Sequence, residues 1–168
     1  MADAADTPKI IQLGEGFYVR QEIDNLTWID LGDCVLVVDA LEKPETEADV
    51  FDAIESTMGD KAVRYLVNTH THYDHVALNK AFHKRWGTDI VDHRCCSGDP
   101  AGRWFEGSAR RVQMLHLPGC HTEEDCIVWA PEDKILMVGD IFGWGLVPLT
   151  TNLRPEAAAL LLDTHAKL

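Results

Sequence analysis

The 168 residues suffice for one domain with a sizeable core and fall short of two full ones. Apolar content is ordinary for a globular protein, at 46%. The formal net charge of -13 argues against nucleic acid and anionic membrane surfaces as partners, because phosphate recognition needs Lys and Arg; it leaves open a small anionic substrate held by metal.

Taken in chain order, residues 9 to 39 read as a meander of short strands. Candidates are Ile10–Leu13, Phe17–Ile23, Leu26–Leu31 and Cys34–Asp39, with turns at Gly14–Gly16, Asp24–Asn25 and Gly32–Asp33. Pro44 opens a helix in which Ala48, Phe51, Ile54 and Met58 recur at helical spacing, and Gly59 closes it. Val63–Val67 is an apolar strand. Residues 76 to 86 read as a second helix, with Leu78, Ala81, Phe82 and Trp86 on one side. Ile90–Val91 is a short strand, and Cys95 to Gly107 is expected to be irregular. Val112–Leu117 is a strand, and Cys126–Ala130 with Lys134–Val138 form a hairpin around Pro131–Asp133. Pro155 begins a final helix, Glu156 to about Lys167. This order suits an α/β protein of packed sheets with helices outside, not a doubly wound parallel sheet.

Residues 1 to 8 have neither a basic start nor an apolar core, so no signal peptide is expected. No apolar run approaches the length of a membrane span. The five cysteines, Cys34, Cys95, Cys96, Cys120 and Cys126, are odd in number, include an adjacent pair and follow no secretory signal. They read as reduced thiols of a cytoplasmic protein.

The densest chemistry is Thr69-His70-Thr71-His72-Tyr73-Asp74-His75, directly after the strand Val63–Val67. Three imidazoles and a carboxylate in one short loop are a ligand set for zinc or iron. The competing reading is a polar loop that caps a helix, with Asp74 as the N-cap. Trp28, Trp104, Phe105 and Trp144 are candidates for the wall of an apolar pocket or for plain core. His116 reads as structural, and His83 and His93 as surface or helix residues.

The heptad resembles the HxHxDH signature of the metallo-β-lactamase superfamily. The resemblance extends to Val112–Asp140, where a strand leads to Pro118-Gly119-Cys120-His121-Thr122, a hairpin follows, and Gly139-Asp140 ends the next strand. Asp39, closing its own strand, matches the family's early aspartate, so the resemblance covers roughly residues 10 to 145. It implies a four-layer αβ/βα sandwich and one domain over residues 1–168. It also implies two divalent metal ions, zinc first, with iron or manganese as alternatives. His70, His72 and His121 would bind one metal, Asp74 and His75 the other, and Asp140 would bridge them. Asp74 counts as catalytic as well as a ligand. Asp39 would accept a hydrogen bond from a ligand imidazole. The activity implied is hydrolysis of a small ester or thioester-like molecule by a metal-bridging hydroxide. The alternatives are a mononuclear iron oxygenase acting on a thiol or persulfide through His70, His121 and Asp140, and an inactive metal-binding fragment.

Three departures from the family pattern stand out. Ala77-Leu78 occupy positions that are commonly glycine, and Cys120 separates Gly119 from His121. The family's last histidine, on a loop well after Gly-Asp, has no counterpart, since His165 lies in a helix-forming segment. The expectation is therefore a chain lacking its C-terminal portion, with an exposed sheet edge open to homodimerisation.

Overall fold

The computed structural model describes residues 8–142. The expected helix at 156–167, Trp144 and His165 lie outside the described residues. Two compact units are distinguished. The first comprises, of the described residues, 8–67, 72–90 and 107–110; the second comprises 68–71, 91–106 and 111–142.

The first unit is built on a six-stranded sheet in the order β1-β2-β3-β4-β5-β6. The strands are β1 (Lys9–Gly14), β2 (Phe17–Gln21), β3 (Leu26–Asp30), β4 (Val35–Val38), β5 (Val63–Val67) and β6 (Asp89–Val91). Successive hairpins make β1 to β4 antiparallel, with Thr27 opposite Val38 and Phe17 opposite Ile29. β5 then pairs parallel to β4, with Val38 opposite Val67. A parallel neighbour needs a crossover, and α1 (Glu47–Met58) supplies it. Every residue of β4 is buried, as are Leu26 to Ile29 of β3. This explains why both strands read as unbroken apolar runs instead of alternating ones.

α1 buries Val50, Phe51, Ile54 and Met58, whereas Ala48 is exposed. The apolar stripe is thus rotated from the one predicted, because Val50 offers more apolar surface than Ala48. Trp28 is fully buried in this core, and its indole Nε1–H donates to Thr57 Oγ1 at 2.8 Å, which satisfies the one polar atom it carries inside. α2 spans Asn79–Trp86 and is preceded by a 3-10 turn at Tyr73–His75, so the predicted helix at 76–86 starts three residues late. Leu78 and Phe82 are buried with Leu66 in the same cluster.

The second unit is an antiparallel sheet in the order β10-β9-β8-β7, formed by β7 (Arg103–Glu106), β8 (Arg111–His116), β9 (Cys126–Ala130) and β10 (Ile135–Met137). β7 corrects the expectation of an irregular 95–107 segment. Phe105 is buried opposite Val112 while Trp104 points to the other face and is 37% exposed. Adjacent aromatics conceal a period-2 pattern when only four residues carry it. One sheet face, with Phe105, Val112, Met114 and Val128, is fully buried, and the other, with Trp104, Gln113, Leu115 and Trp129, is partly exposed.

Leu66 is fully buried at the centre of the first unit's core. Leu66→Ala is expected to lower the unfolding free energy by about 2–5 kcal/mol, read from the urea midpoint at unchanged slope. A loss below about 0.5 kcal/mol, the range of surface substitutions, would contradict this core assignment.

Candidate metal centre

β5 ends at Val67, and the chain leaves the sheet as a loop over 68–72 that closes in the Tyr73–His75 turn. The boundary between the units falls within this loop, between Thr71 and His72. The donors are therefore described unit by unit.

In the second unit the loop is held by backbone pairing. Asn68 N–H donates to Val91 O at 2.9 Å, and Cys126 N–H donates to Thr69 O at 2.7 Å. The Thr71 hydroxyl donates to the Glu124 carboxylate. His70 is buried at 2% exposure, and its ring meets that of His121 edge to face with centroids 4.9 Å apart. His121 Nε2 lies 3.7 Å from Asp140 Oδ2. A ring nitrogen of His70 lies within 4.8 Å of one of His121, and a ring nitrogen of His70 lies within 4.8 Å of an Asp140 carboxylate oxygen. Two imidazoles and a carboxylate thus converge inside one unit.

Two features set that geometry. Asp125, 2% exposed, accepts from the His121 amide at 2.5 Å, from the Thr122 amide at 2.9 Å and from the Thr122 hydroxyl at 2.7 Å. A buried carboxylate must be so satisfied, and in return it fixes the turn that carries His121. Gly139, at φ +54, is packed so closely on Thr69 that a Cβ there would lie 2.4 Å from Thr69 Oγ1. Only glycine lets the backbone before Asp140 approach the residue before His70. Neither Asp125 nor Thr69 was singled out from sequence. The available signal was a short carboxylate placed to bond backward to the amides of a preceding turn.

Cys120, the extra residue before His121, is 3% exposed and packs with Leu117, Ile127 and Ile141. Burial raises its thiol above the usual range, which favours an apolar role over a thiolate ligand.

In the first unit, His75 Nδ1 lies 3.0 Å from Asp39 Oδ2, both side chains 6% exposed. The Asp39 carboxylate thus faces one ring nitrogen of His75. Asp39 has φ 64 and Leu41 φ 53, a sharp left-handed turn for two non-glycine residues. Backbone bonds hold it: Asp39 N–H to Val67 O, Ala40 N–H to His75 O, Ala77 N–H to Leu41 O and Leu78 N–H to Ala40 O. Leu78, where the family commonly has glycine, is core. Asp74 Oδ1 is buried without a hydrogen-bond partner among the described residues. An unsatisfied carboxylate oxygen is costly unless a proton or cation joins it. His72 is exposed.

The donor chemistry fits a borderline divalent cation. Within the second unit the His70 and His121 imidazoles and the Asp140 carboxylate are donors of the kind such a cation takes, and Asp74 presents a buried oxygen without a hydrogen bond among the described residues. His116 Nε2 is bonded instead to Glu123 O at 2.9 Å, and His83 Nδ1 to Thr88 O at 3.0 Å. Trp28 and Phe105 are core, and Trp104 alone of the described candidate aromatics is substantially exposed.

Comparison with known proteins gives the same direction. Residues 20–94 match the metallo-beta-lactamase superfamily. A hydroxyacylglutathione hydrolase of Rhizobium meliloti is 29% identical over 109 residues, covering 60% of this chain and 41% of that protein. The chain spans about two fifths of the length of the curated relatives it matches. A metallo-beta-lactamase from Pontibacter korlensis superposes with a TM-score of 0.79 at 15% identity, covering 96% of this chain and 87% of that one. A variant of a flavo di-iron protein from Thermotoga maritima gives 0.64 at 16% identity, over 81% of this chain and 42% of that one. The fold is of the metallo-β-lactamase type.

Asp125→Ala is expected to cost about 3 kcal/mol of stability, since it strands donors that bond a charged acceptor. It should also weaken zinc binding measured by calorimetry, and Asp125→Asn should recover part of both. Unchanged zinc affinity in a folded Asp125→Ala protein would remove Asp125 from the site.

Proposed function

From its membership of the metallo-β-lactamase superfamily, carried by the sequence of residues 20–94 and by the fold, we infer that the chain is a metal-dependent hydrolase acting on a small thioester or ester. The observation that carries this reading is the placement of the buried His70 and His121 rings edge to face at 4.9 Å, with His121 Nε2 3.7 Å from Asp140 Oδ2. Of the donors that the family resemblance names, His70, His121 and Asp140 belong to the second unit and His72, Asp74 and His75 to the first. Zinc suits imidazole and carboxylate donors in this combination.

The bound metal supplies Lewis acidity, which polarises a carbonyl and lowers the pKa of water. The chain's own groups do the rest. His70 and His121 are buried and held by Thr69 and Asp125, so they keep one orientation with little entropy left to lose. Asp140, its side chain 41% exposed, can meet an incoming substrate without backbone movement. Asp74 Oδ1, desolvated and without a hydrogen-bond partner among the described residues, is placed to accept a proton or a cation. Asp39 fixes the ring of His75. The thioester class follows from the relatives named as hydroxyacylglutathione hydrolases, which makes an S-hydroxyacylglutathione the first substrate to assay. A cytoplasmic location is proposed from the five free cysteines.

One observation favours a second reading, a mononuclear iron oxygenase acting on a thiol or persulfide. His70, His121 and Asp140 by themselves make the two-histidine, one-carboxylate set that iron oxygenases use, and all three belong to one unit. Bound iron with oxygen uptake would select it over a zinc hydrolase.

The decisive assay follows thiol release from an S-hydroxyacylglutathione by protein stripped with chelator and reloaded with zinc. Activity should vanish and return with the metal. His121→Ala should abolish turnover while circular dichroism stays unchanged, and Asp39→Ala should lower zinc affinity roughly 10–100-fold. Turnover that survives complete metal removal would refute the proposal.

A further inference from the structure

Apart from the donors of the candidate metal centre, the second unit holds another pair of imidazoles. His93 opens a 3-10 turn over His93–Cys95, and His116 ends β8. Their rings are tilted by 33° with centroids 5.4 Å apart. The turn that carries His93 is fixed by Asp92, whose carboxylate accepts from the Arg94 amide at 3.0 Å and from the Arg94 Nε at 2.9 Å. The end of β8 is fixed by its pairing with β9, with His116 opposite Cys126.

Each ring keeps a nitrogen in reserve. His116 Nε2 lies 2.9 Å from Glu123 O. A carbonyl only accepts, so Nε2 carries the proton and the lone pair of the neutral ring is on Nδ1. Metal-ligating histidines take this arrangement, one N–H anchored on a backbone carbonyl and the other nitrogen left to the ion. His93 Nδ1 is buried without a hydrogen-bond partner among the described residues. Buried polar atoms are almost always satisfied, so this one calls for an explanation. Two imidazoles on one tetrahedral zinc, with Zn–N at about 2.0–2.1 Å, have ring centroids roughly 5 Å apart. The His93–His116 separation of 5.4 Å and the 4.9 Å of His70–His121 lie on either side of that value. Plain stacking of neutral rings allows the same distance, yet it gives the buried His93 nitrogen nothing to bond. Access comes from the side of His116, which lines a groove of about 730 Å³ with Asp99 and Pro118.

We propose that His93 and His116 form a further site for a borderline divalent cation of the zinc class, each ring offering Nδ1 and water completing the shell. The ion ties the turn at His93–Cys95 to the end of β8. Its donors are none of those of the candidate metal centre, so substitution separates the two sites. Both imidazoles are neutral when they bind, which makes the site weaken as pH falls through the ordinary histidine range.

The test titrates the reduced, chelator-stripped, full-length chain with zinc in a calorimeter, beside His93→Ala and His116→Gln. Each variant should bind one zinc fewer per chain than the parent while circular dichroism stays unchanged. His116→Gln retains a donor for Glu123 O and loses the ligating nitrogen, so it reads the site even if His93→Ala folds poorly. Cobalt in place of zinc should give visible bands at this site without intense thiolate charge transfer. The proposal fails if both folded variants bind as many zinc ions as the parent. It fails equally if the ion in question shows thiolate charge transfer and is lost in Cys95→Ser, which would assign it to the neighbouring cysteines.

Discussion

The second unit depends on how Thr69 is held. Its carbonyl accepts from the amide of Cys126 at the start of β9, and its side chain is met by the backbone of Gly139 at the end of β10. His70 follows Thr69, and Asp140 follows Gly139, so both ligand-type residues inherit their positions from one packed contact. His121 is added by a different device, the Asp125 carboxylate, which gathers two amides and a hydroxyl at the foot of β9. Backbone hydrogen bonds and a close glycine contact have few alternative geometries. A site built on them is preorganised, because little freedom remains to be lost when a cation or substrate arrives.

Buried carboxylates account for much of the remaining architecture. Asp39, Asp125 and one oxygen of Asp74 sit where water is largely excluded, a costly position for a charge without compensation. Asp125 is compensated within its turn and Asp39 by His75. Asp74 Oδ1 has no such neighbour among the described residues. Asp125 thus organises its loop through bonds inside the protein, whereas Asp74 Oδ1 is held by packing without a hydrogen bond among the described residues. The net charge of -13 by itself could not have made this distinction, since solubility accounts for an acidic surface equally well.

The strands of the first unit were legible because β-branched and aliphatic runs lie between glycine-rich turns, and β5 was placed to the residue. Helix faces were less so. α1 turns Val50 inward and Ala48 outward, a choice set by what the sheet beneath can accept and invisible to spacing alone. β7 was missed because four residues with two adjacent aromatics offer too short a pattern. Among the candidate donors, the heptad histidines were named from their density in one loop, and His121 and Asp140 from the resemblance to a known family pattern. Asp125 and Thr69 could not, since their roles exist only after the turn and the Gly139 contact have formed.

The heptad shows how a short sequence can satisfy two demands. Its first residue, Thr69, accepts from the Cys126 amide of β9 within the second unit, and its last, His75, accepts from the Ala40 amide of the Asp39–Leu41 turn within the first. These anchors use main-chain atoms of Thr69 and His75, while the Thr71 hydroxyl is engaged with Glu124 and the His75 ring faces Asp39. The left-handed conformations of Asp39 and Leu41 cost energy, of order 1–3 kcal/mol each, and the surrounding hydrogen bonds must offset it. A relaxed turn at that point would carry the Asp39 carboxylate away from His75 Nδ1 and release the imidazole. Strain at this turn thus accompanies the placement of the Asp39 carboxylate against the His75 ring.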